Sequence, residues 1–180
     1  MKICPSYLSF ILYNPIRKVL TDREKILDES GISASSVVLE VGAGNGFITE
    51  AIAQRAKKVY AVELQHGMVK KLRKRVEGFG SKVDILLCDI ANCDIVEGLA
   101  DVCIMYYSFH EIGNQAGAVR NIWKAIKNDG ILSIYEPTIE VNKASMQETI
   151  GMFQAIGFER ELERDSLFTR FVRLRRVKNK

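Results

Sequence analysis

Short hydrophobic runs alternate along the chain with segments in which apolar residues recur every three or four positions. Runs rich in Val, Ile and Leu are the candidate strands, at 37–41, 58–62, 83–87, 101–106 and 131–136. Helical periodicity lies between and after them, near 46–55, 67–77, 115–127 and 144–156. Strands that alternate with helices in this way predict a mainly parallel sheet that is covered by helices on both faces.

The two ends of the chain depart from this alternation. After Gly157 the pattern becomes extended, and it predicts two strands, Phe158–Glu163 and Leu167–Leu174, joined by residues 164–166. Two adjacent strands with a short connection predict a closing hairpin in place of a further strand–helix unit. At the other end, residues 1–34 predict one or two helices, with Pro15 at a helix start.

Three alternating glycines follow the first candidate strand directly. Gly42, Gly44 and Gly46 stand between the apolar run 37–41 and a helical pattern. Glycine permits positive φ and lets a ligand approach the backbone closely, and the following helix start presents free N–H groups. This turn therefore predicts a binding site for a nucleotide-type cofactor.

An acidic residue closes the second candidate strand. Glu63 lies 19 positions after Gly44, about the separation at which a carboxylate meets a ribose in doubly wound folds. A carboxylate can accept hydrogen bonds from two vicinal hydroxyls. By itself Glu63 is equally compatible with a solvated strand end, but together with the glycine turn it favours the cofactor site.

Five segments, in order, resemble the motifs of class I S-adenosylmethionine-dependent methyltransferases. They are 39–46 (LEVGAGNG), 61–63 (AVE), 87–90 (LCDI), 101–112 (DVCIMYYSFHEI) and 122–132 (IWKAIKNDGIL). The resemblance spans roughly residues 35 to 175. It implies a doubly wound α/β fold with a seven-stranded, mainly parallel sheet of order 3-2-1-4-5-7-6, strand 7 antiparallel, and helices on both faces. It also implies a single domain over 1–180, with an N-terminal helical lid at 1–34 and a Rossmann-like core at 35–180.

The resemblance assigns roles around S-adenosylmethionine to the residues of the first two motifs. Gly42, Gly44 and Gly46 would line the methionine part of the cofactor. Glu40 would orient the glycine loop and reach the amino group, and Glu63 would hold the ribose hydroxyls.

The next motifs supply the adenine contacts and one aromatic contact. Leu64 would pack on the adenine face, Asp89 would accept from the adenine amino group, and the Ile90 N–H would reach the ring. The alternative for Asp89 is a helix N-cap or turn residue. Tyr106 would lie near the sulfonium; because neighbouring strand residues point to opposite faces, at most one of Tyr106 and Tyr107 is expected in the pocket.

Methyl transfer to a protonated acceptor can require a general base. His110 and Glu111, just beyond the fourth strand, are the candidates. The alternatives are that His110 only shapes the pocket and that Glu111 begins the next helical segment. Glu136, at the end of the fifth strand, is a further carboxylate expected at the pocket rim.

The composition predicts the class of protein and the compartment in which it is found. A chain of 180 residues with 47% hydrophobic and 27% charged residues is typical of one soluble globular domain. No run approaches the roughly 20 apolar residues of a membrane span, and Pro5 interrupts the apolar start, so no export signal is expected. The four cysteines show no metal-ligand spacing. Cys88 and Cys103 lie in apolar patterns and are expected as free thiols, which predicts a reduced, cytoplasmic protein without a metal site.

The net charge of +4 is concentrated at the carboxyl end, where residues 170–180 carry six basic and no acidic side chains. The favoured interpretation is a solubilising end beyond the last strand; contact with phosphates is the alternative and leaves nucleic acid open as a partner. The other basic cluster, 70–75, has the spacing of a solvated helix face above a buried stripe of Met68, Leu72 and Val76.

The predicted function is methyl transfer from S-adenosylmethionine to a small or partly apolar acceptor. The chain lacks an Asn-Pro-Pro-Tyr-type sequence after the fourth strand, which argues against methylation of a DNA-base or glutamine amino group. Tyr7, Phe10 and Tyr13 give the N-terminal segment an aromatic character. Two alternatives stay open: a non-catalytic sensor or partner subunit that binds the cofactor, and a nicotinamide-dependent oxidoreductase. Neither the acceptor's identity nor the oligomeric state follows from the residues.

Overall fold

One seven-stranded sheet runs through the protein, in a computed structural model that describes residues 21–177. The strand order is β3-β2-β1-β4-β5-β7-β6. β7 is antiparallel to both β5 and β6, and the other neighbouring pairs are parallel. The predicted fold class and strand order are therefore confirmed. The strands are β1 Val37–Val41, β2 Lys58–Glu63, β3 Val83–Leu87, β4 Ala100–Tyr106, β5 Ile126–Pro137, β6 Phe158–Asp165 and β7 Thr169–Arg176.

Five α-helices accompany the sheet within the described residues. They are α1 Arg23–Glu29, α2 Phe47–Arg55, α3 His66–Val76, α4 Gln115–Ala125 and α5 Lys143–Gln154, with 3-10 turns at Glu77–Lys82 and Phe109–Glu111. None of these helices has the length and apolar content that crossing a lipid bilayer requires.

Two hydrophobic clusters cover the two faces of the sheet. Along β1, Val38 belongs to the cluster that contains residues of α1 and α2 with Leu72 and Val76 of α3. Leu39 and Val41 belong to the cluster that contains residues of α4 and α5. Successive strand residues point to opposite faces, and here both faces are buried. This explains why central strands such as β1 and β4 appear as continuous apolar runs.

The boundaries of β1 and β3 match the prediction, and the fifth strand shows the largest difference. α4 ends at Ala125 and β5 already begins at Ile126, not at residue 131. The register shifts here, because Ala100 pairs with Ile126 whereas Val102 pairs with Ile131. The intervening residues bulge out of the ladder, and the positive φ of 62° at Asp129 is the conformation that lets them turn.

The turn of the closing hairpin lies at residues 166–168, two positions later than predicted. Ser166 fixes it: the Ser166 N–H donates to the Thr169 carbonyl at 2.9 Å, and the Thr169 N–H donates to Ser166 Oγ at 3.0 Å. Polar Arg164 and Asp165 therefore continue β6 and pair with residues of β7.

The basic carboxyl-terminal residues are part of the sheet, which corrects the interpretation of a solubilising end. Arg173 and Arg175 both pair with Glu161 of β6. Arg176 is 7% exposed; its guanidinium lies 3.8 Å from the centroid of the Trp123 ring and donates to the Trp123 carbonyl. Lys178 and Lys180 lie outside the described residues.

α1 packs against the sheet at its β5–β7 side. The Tyr135 hydroxyl donates to the Ile26 carbonyl at 3.2 Å, and Arg164 pairs with Glu29 at 2.8 Å. The predicted N-terminal lid falls largely on residues 1–20, which, with Pro15 and the aromatic positions, lie outside the described residues.

Candidate active site

A cavity of about 330 Å³ opens where the carboxyl ends of the parallel strands meet. This edge is where ligands bind in open α/β sheets. Of the eleven predicted site residues, ten line this single cavity: Glu40, Gly42, Gly44, Glu63, Leu64, Asp89, Ile90, Tyr106, His110 and Glu111.

Gly46 is the predicted residue that does not line the cavity. It is the N-cap of α2, with φ of 86°, and a Cβ at this position would lie 2.8 Å from Leu72 Cδ1 of α3. Gly46 therefore lets α2 begin close against α3, a packing role that a glycine motif does not distinguish from ligand contact.

Gly42 lets the loop that follows β1 lie close against the residues just beyond β4. The N–H groups of Gly42 and Ala43 donate to the Val62 carbonyl at 2.9 and 3.0 Å. A Cβ on Gly42 would lie 2.4 Å from Ser108 Cβ, and Ser108 Oγ donates to the Val41 carbonyl at 2.7 Å. This approach and the φ of 77° both require glycine.

The Glu63 carboxylate is fixed between two backbone N–H groups. Gly44 donates to its Oε2 at 2.8 Å, and Gln65 donates to its Oε1 at 2.7 Å. Glu63 is 6% exposed. Each carboxylate oxygen can accept a second hydrogen bond, so this side chain suits a pair of vicinal hydroxyls such as those of a ribose.

Glu40 is a buried acid without a complete set of partners. Its Oε2 has no hydrogen-bond partner among residues 21–177. Burial raises the pKa of Glu40 to about 8; the Thr49 hydroxyl opposes this rise and the negative charge of Glu63 adds to it. An unpaired buried carboxyl calls for a cation or a donor, so the residues present fit a ligand that carries an ammonium group.

The loop after β3 supplies the opposite wall of the cavity. Asp89 Oδ1 accepts from the Ala91 N–H at 2.9 Å, so Asp89 forms a turn and also lines the cavity. The turn and the ligand-binding interpretations of Asp89 are thus compatible.

A disulfide joins Cys88 to Cys93 across this loop. The expectation of a free Cys88 thiol is therefore wrong. Cys88 follows the last residue of β3, and the turn at Asp89 brings Cys93 back beside it, whereas the apolar pattern indicated only a strand. Cys103, by contrast, is free and buried, as predicted.

Both tyrosines at the end of β4 line the cavity, which corrects the expectation of one. The Tyr106 and Tyr107 rings stack with centroids 4.3 Å apart. Tyr107 lies beyond the strand with φ of 59°, so the alternation of strand faces no longer applies to it. Its N–H donates to the Tyr135 carbonyl at 2.8 Å, which holds this uncommon conformation.

His110 lies between two carboxylates. Its Nδ1 donates to Glu136 Oε2, and its Nε2 donates to Glu140 Oε2 at 2.8 Å. Burial opposes the charged ring, but the hydrogen bond and charge of Glu136, with Glu140 and Glu111, raise the pKa of His110 above its ordinary value. Glu136 is buried and Glu140 is exposed, so the inner carboxylate orients the imidazole and the outer one can move.

Glu140 is a site residue that sequence reasoning missed. It stands in the loop between β5 and α5, outside every recognised motif. Pro137 begins the turn that brings it back over His110, since the Glu140 N–H donates to the Pro137 carbonyl at 3.1 Å. No local sequence signal indicates this approach.

Comparison with known proteins places these features in a family. The profile of the family described as "Methyltransferase domain" matches residues 39–134. A methyltransferase of Geobacillus sp., itself uncharacterized, is 32% identical over 143 residues, which are 79% of this chain and 66% of the relative. A dimethyladenosine transferase of Yarrowia lipolytica is 40% identical over 96 residues, covering 52% of this chain and 28% of that enzyme. The chain thus spans between about a quarter and two thirds of the length of these curated relatives.

A solved structure shows the same fold over nearly the whole chain. The crystal structure of a SAM-dependent methyltransferase from Aquifex aeolicus has a TM-score of 0.86 and 22% sequence identity. The likeness covers 97% of this chain and 100% of the Aquifex chain. Both the profile and the fold agree with the resemblance carried by the five sequence motifs.

The Glu63→Ala variant tests the predicted ribose contact. Loss of charge-assisted hydrogen bonds is expected to weaken S-adenosylmethionine binding by about 1–3 kcal/mol, measured by isothermal titration calorimetry. Glu77→Ala, which removes an exposed acid beyond α3, is the control for net charge. Unchanged affinity in a folded Glu63→Ala protein would remove Glu63 from the site.

Glu40 predicts that cofactor binding releases a proton. With a pKa of about 8 the Glu40 carboxyl is mostly protonated at pH 7, and an approaching ammonium lowers that pKa and expels the proton. The binding enthalpy at pH 7 should therefore change with the ionisation enthalpy of the buffer. Glu40→Gln should remove this dependence, and an equal dependence in both proteins would contradict the assignment.

Proposed function

Because the chain belongs to the class I S-adenosylmethionine-dependent methyltransferase family, we propose that it transfers a methyl group to a small, partly apolar acceptor. One observation supports the proposal most directly: His110, which is hydrogen-bonded to buried Glu136, lines the same cavity as every predicted cofactor residue except Gly46. A group bound between Glu63 and Glu40 would therefore share an enclosed space with a proton acceptor. That combination suits group transfer better than binding alone.

The cofactor would be held by groups that are already positioned. Glu63 would accept from the ribose hydroxyls, Glu40 would accept from the amino group, and Asp89 with the Ile90 N–H would contact the adenine. When bound, S-adenosylmethionine supplies an electrophilic methyl group on a sulfonium. Glu63 keeps its two backbone hydrogen bonds in this arrangement, so the site needs little reorganisation.

His110 is proposed as the general base. Its Nε2 becomes available when exposed Glu140 moves aside, and it then takes the proton of an O–H or N–H acceptor. Glu136 accepts from Nδ1–H, fixes the ring orientation and stabilises the imidazolium that forms. Glu111 also lines the cavity and is the alternative base.

The character of the acceptor is inferred from the remaining cavity wall. Beside His110 the cavity is lined by apolar and aromatic side chains, those of Tyr106, Tyr107, Ile112 and Pro137. This lining favours an acceptor with an apolar or aromatic part. Only a polar atom facing His110 would need to lose a proton.

RNA is the second candidate acceptor. The Yarrowia relative is named a dimethyladenosine transferase, and α3 exposes Lys70, Arg73 and Lys74. Against this, the chain carries Tyr-Tyr-Ser-Phe at the end of β4 in place of the Asn-Pro-Pro-Tyr type of sequence. We therefore favour the small acceptor.

Because the chain belongs to the methyltransferase family, the oxidoreductase alternative is set aside. The alternative of a cofactor-binding sensor is tested by a labelling experiment. Incubation with methyl-labelled S-adenosylmethionine, a metabolite extract and an RNA fraction is expected to place label in a small molecule, identified by mass spectrometry. Label in RNA would show that the acceptor is RNA and not a small molecule. Absence of label in both fractions, from protein that binds the cofactor, would support the sensor.

The two histidines of the chain provide a matched pair of variants. His110→Asn is expected to lower kcat by about 10²- to 10⁴-fold, the usual contribution of a general base, with little change in cofactor affinity. His66→Asn, at an exposed position at the start of α3, should retain full activity. Equal activity of both variants would exclude His110 as the base.

The pH dependence of kcat/KM tests the role of the neighbouring acids. Because the pKa of His110 is raised above its ordinary value, the neutral base predominates only at a higher pH than it does for a free imidazole, and activity should rise with pH through that raised value. Glu140→Gln removes one negative charge and should move this acid limb to lower pH. An unchanged limb would show that another group controls the rate.

A further inference from the structure

We propose that the Cys88–Cys93 disulfide is a redox-modifiable site that sets the affinity for the cofactor, and that its reaction partner is a dithiol reductant. The inference rests on the proposed function, because it concerns regulation of the same cavity. It assigns a chemical role to a bond that the catalytic proposal does not use.

The disulfide encloses residues predicted to contact the adenine. Its two cysteines are five positions apart, with Cα atoms separated by 5.7 Å. Asp89 and Ile90 lie within this ring, and both line the cavity together with Cys88 itself. Breaking the disulfide therefore acts directly on Asp89 and Ile90, the residues of this loop that line the cavity.

The enclosed loop is also joined to the proposed ribose site. The Cys88 N–H donates to the Glu63 carbonyl at 3.2 Å, and the Asn92 N–H donates to the Asp89 carbonyl at 2.9 Å. The disulfide therefore fixes a turn whose first residue is bonded to β2 at Glu63. With the bond closed, the adenine and ribose contacts are ordered before a ligand arrives.

A second anchor limits how far the loop moves when the disulfide opens. The Asn121 side-chain amide of α4 donates to the Ile90 carbonyl at 2.8 Å and to the Cys93 carbonyl at 3.1 Å. Ile90 is also buried. Reduction should therefore loosen the loop without unfolding the domain, so that binding must then order it again.

The sulfur atoms differ in accessibility in a way that makes the reaction selective. Cys88 and Cys93 are half-buried, whereas Cys103 is fully buried, and burial raises the pKa of its thiol. Cys103 is thereby protected from exchange, since the thiolate is the reactive form.

The exchange balances with a dithiol as the two-electron donor. A thiolate of the dithiol attacks one sulfur of the pair, the Cys88–Cys93 bond breaks, and a mixed disulfide forms. The protein sulfur that was not attacked leaves in that step as a thiolate. The second thiol of the dithiol then attacks the dithiol sulfur of the mixed disulfide and displaces the protein sulfur bonded to it. The products are two protein thiols and the oxidised partner.

Tryptic mapping establishes the state of the bond before affinity is measured. Residues 83–120 contain Cys88, Cys93 and Cys103 and no Lys or Arg before Arg120, so trypsin places all three cysteines in one peptide. Denatured oxidised protein should incorporate one alkyl group in this peptide and reduced protein three. Three alkyl groups in protein treated with an oxidised dithiol would overturn the proposal.

The affinity of both states for S-adenosylhomocysteine is then compared by calorimetry. Preorganisation predicts that treatment with dithiothreitol weakens binding by about three- to tenfold and that reoxidation restores it. The double variant Cys88→Ser/Cys93→Ser should show the weaker affinity with and without the dithiol. Equal affinity of oxidised and reduced wild-type protein would overturn the redox site, whereas no binding in either state would instead contradict the cofactor site.

Discussion

The fixed Glu63 carboxylate is the interaction on which the rest of the site depends. By accepting from Gly44 in the first loop and from Gln65 after β2, it ties the two strand ends together around a cavity. Gly42 makes this possible, because its lack of a Cβ lets the loop lie against Ser108, just beyond the end of β4. Three strand ends are thus brought to one place before any ligand binds, and the preorganisation lowers the entropic cost of binding.

The charges around the cavity are balanced only in part. Glu63 satisfies its oxygens with backbone donors, and Glu136 is paired with His110, but Glu40 keeps an unpaired oxygen in a buried position. A buried polar group without a partner is costly, and it is retained mainly where a ligand compensates for it. The two sides of the cavity therefore differ. The cofactor side presents the buried Glu40 carboxyl to a cationic group, whereas the acceptor side holds His110 between acidic side chains.

Much of this arrangement could be predicted from the sequence, because a parallel sheet brings the ends of successive strands to one edge. The apolar runs located β1 and β3, and the motif order placed Glu63, Asp89 and His110 in a common cavity. The predictions that were wrong concern details of the backbone path. The bulge at 127–130 moved the start of β5, and the positive φ of Tyr107 turned a second ring into the cavity.

Contacts that depend on how a loop turns were beyond local patterns of residue types. The Cys88–Cys93 bond depends on a turn at Asp89, and the approach of Glu140 to His110 depends on the loop after Pro137. Gly46 matched the glycine motif yet serves helix packing. Such assignments follow only from the three-dimensional structure, because a pattern of residue types gives spacing along the chain but not the direction of each side chain.

A crystal structure with S-adenosylhomocysteine tests the central claim most directly. Both ribose hydroxyls are expected to donate to the Glu63 carboxylate, with the amino group at Glu40 and the sulfur facing the part of the cavity lined by His110. A ligand bound in the cavity with its ribose away from Glu63, or bound at another surface, would contradict this claim.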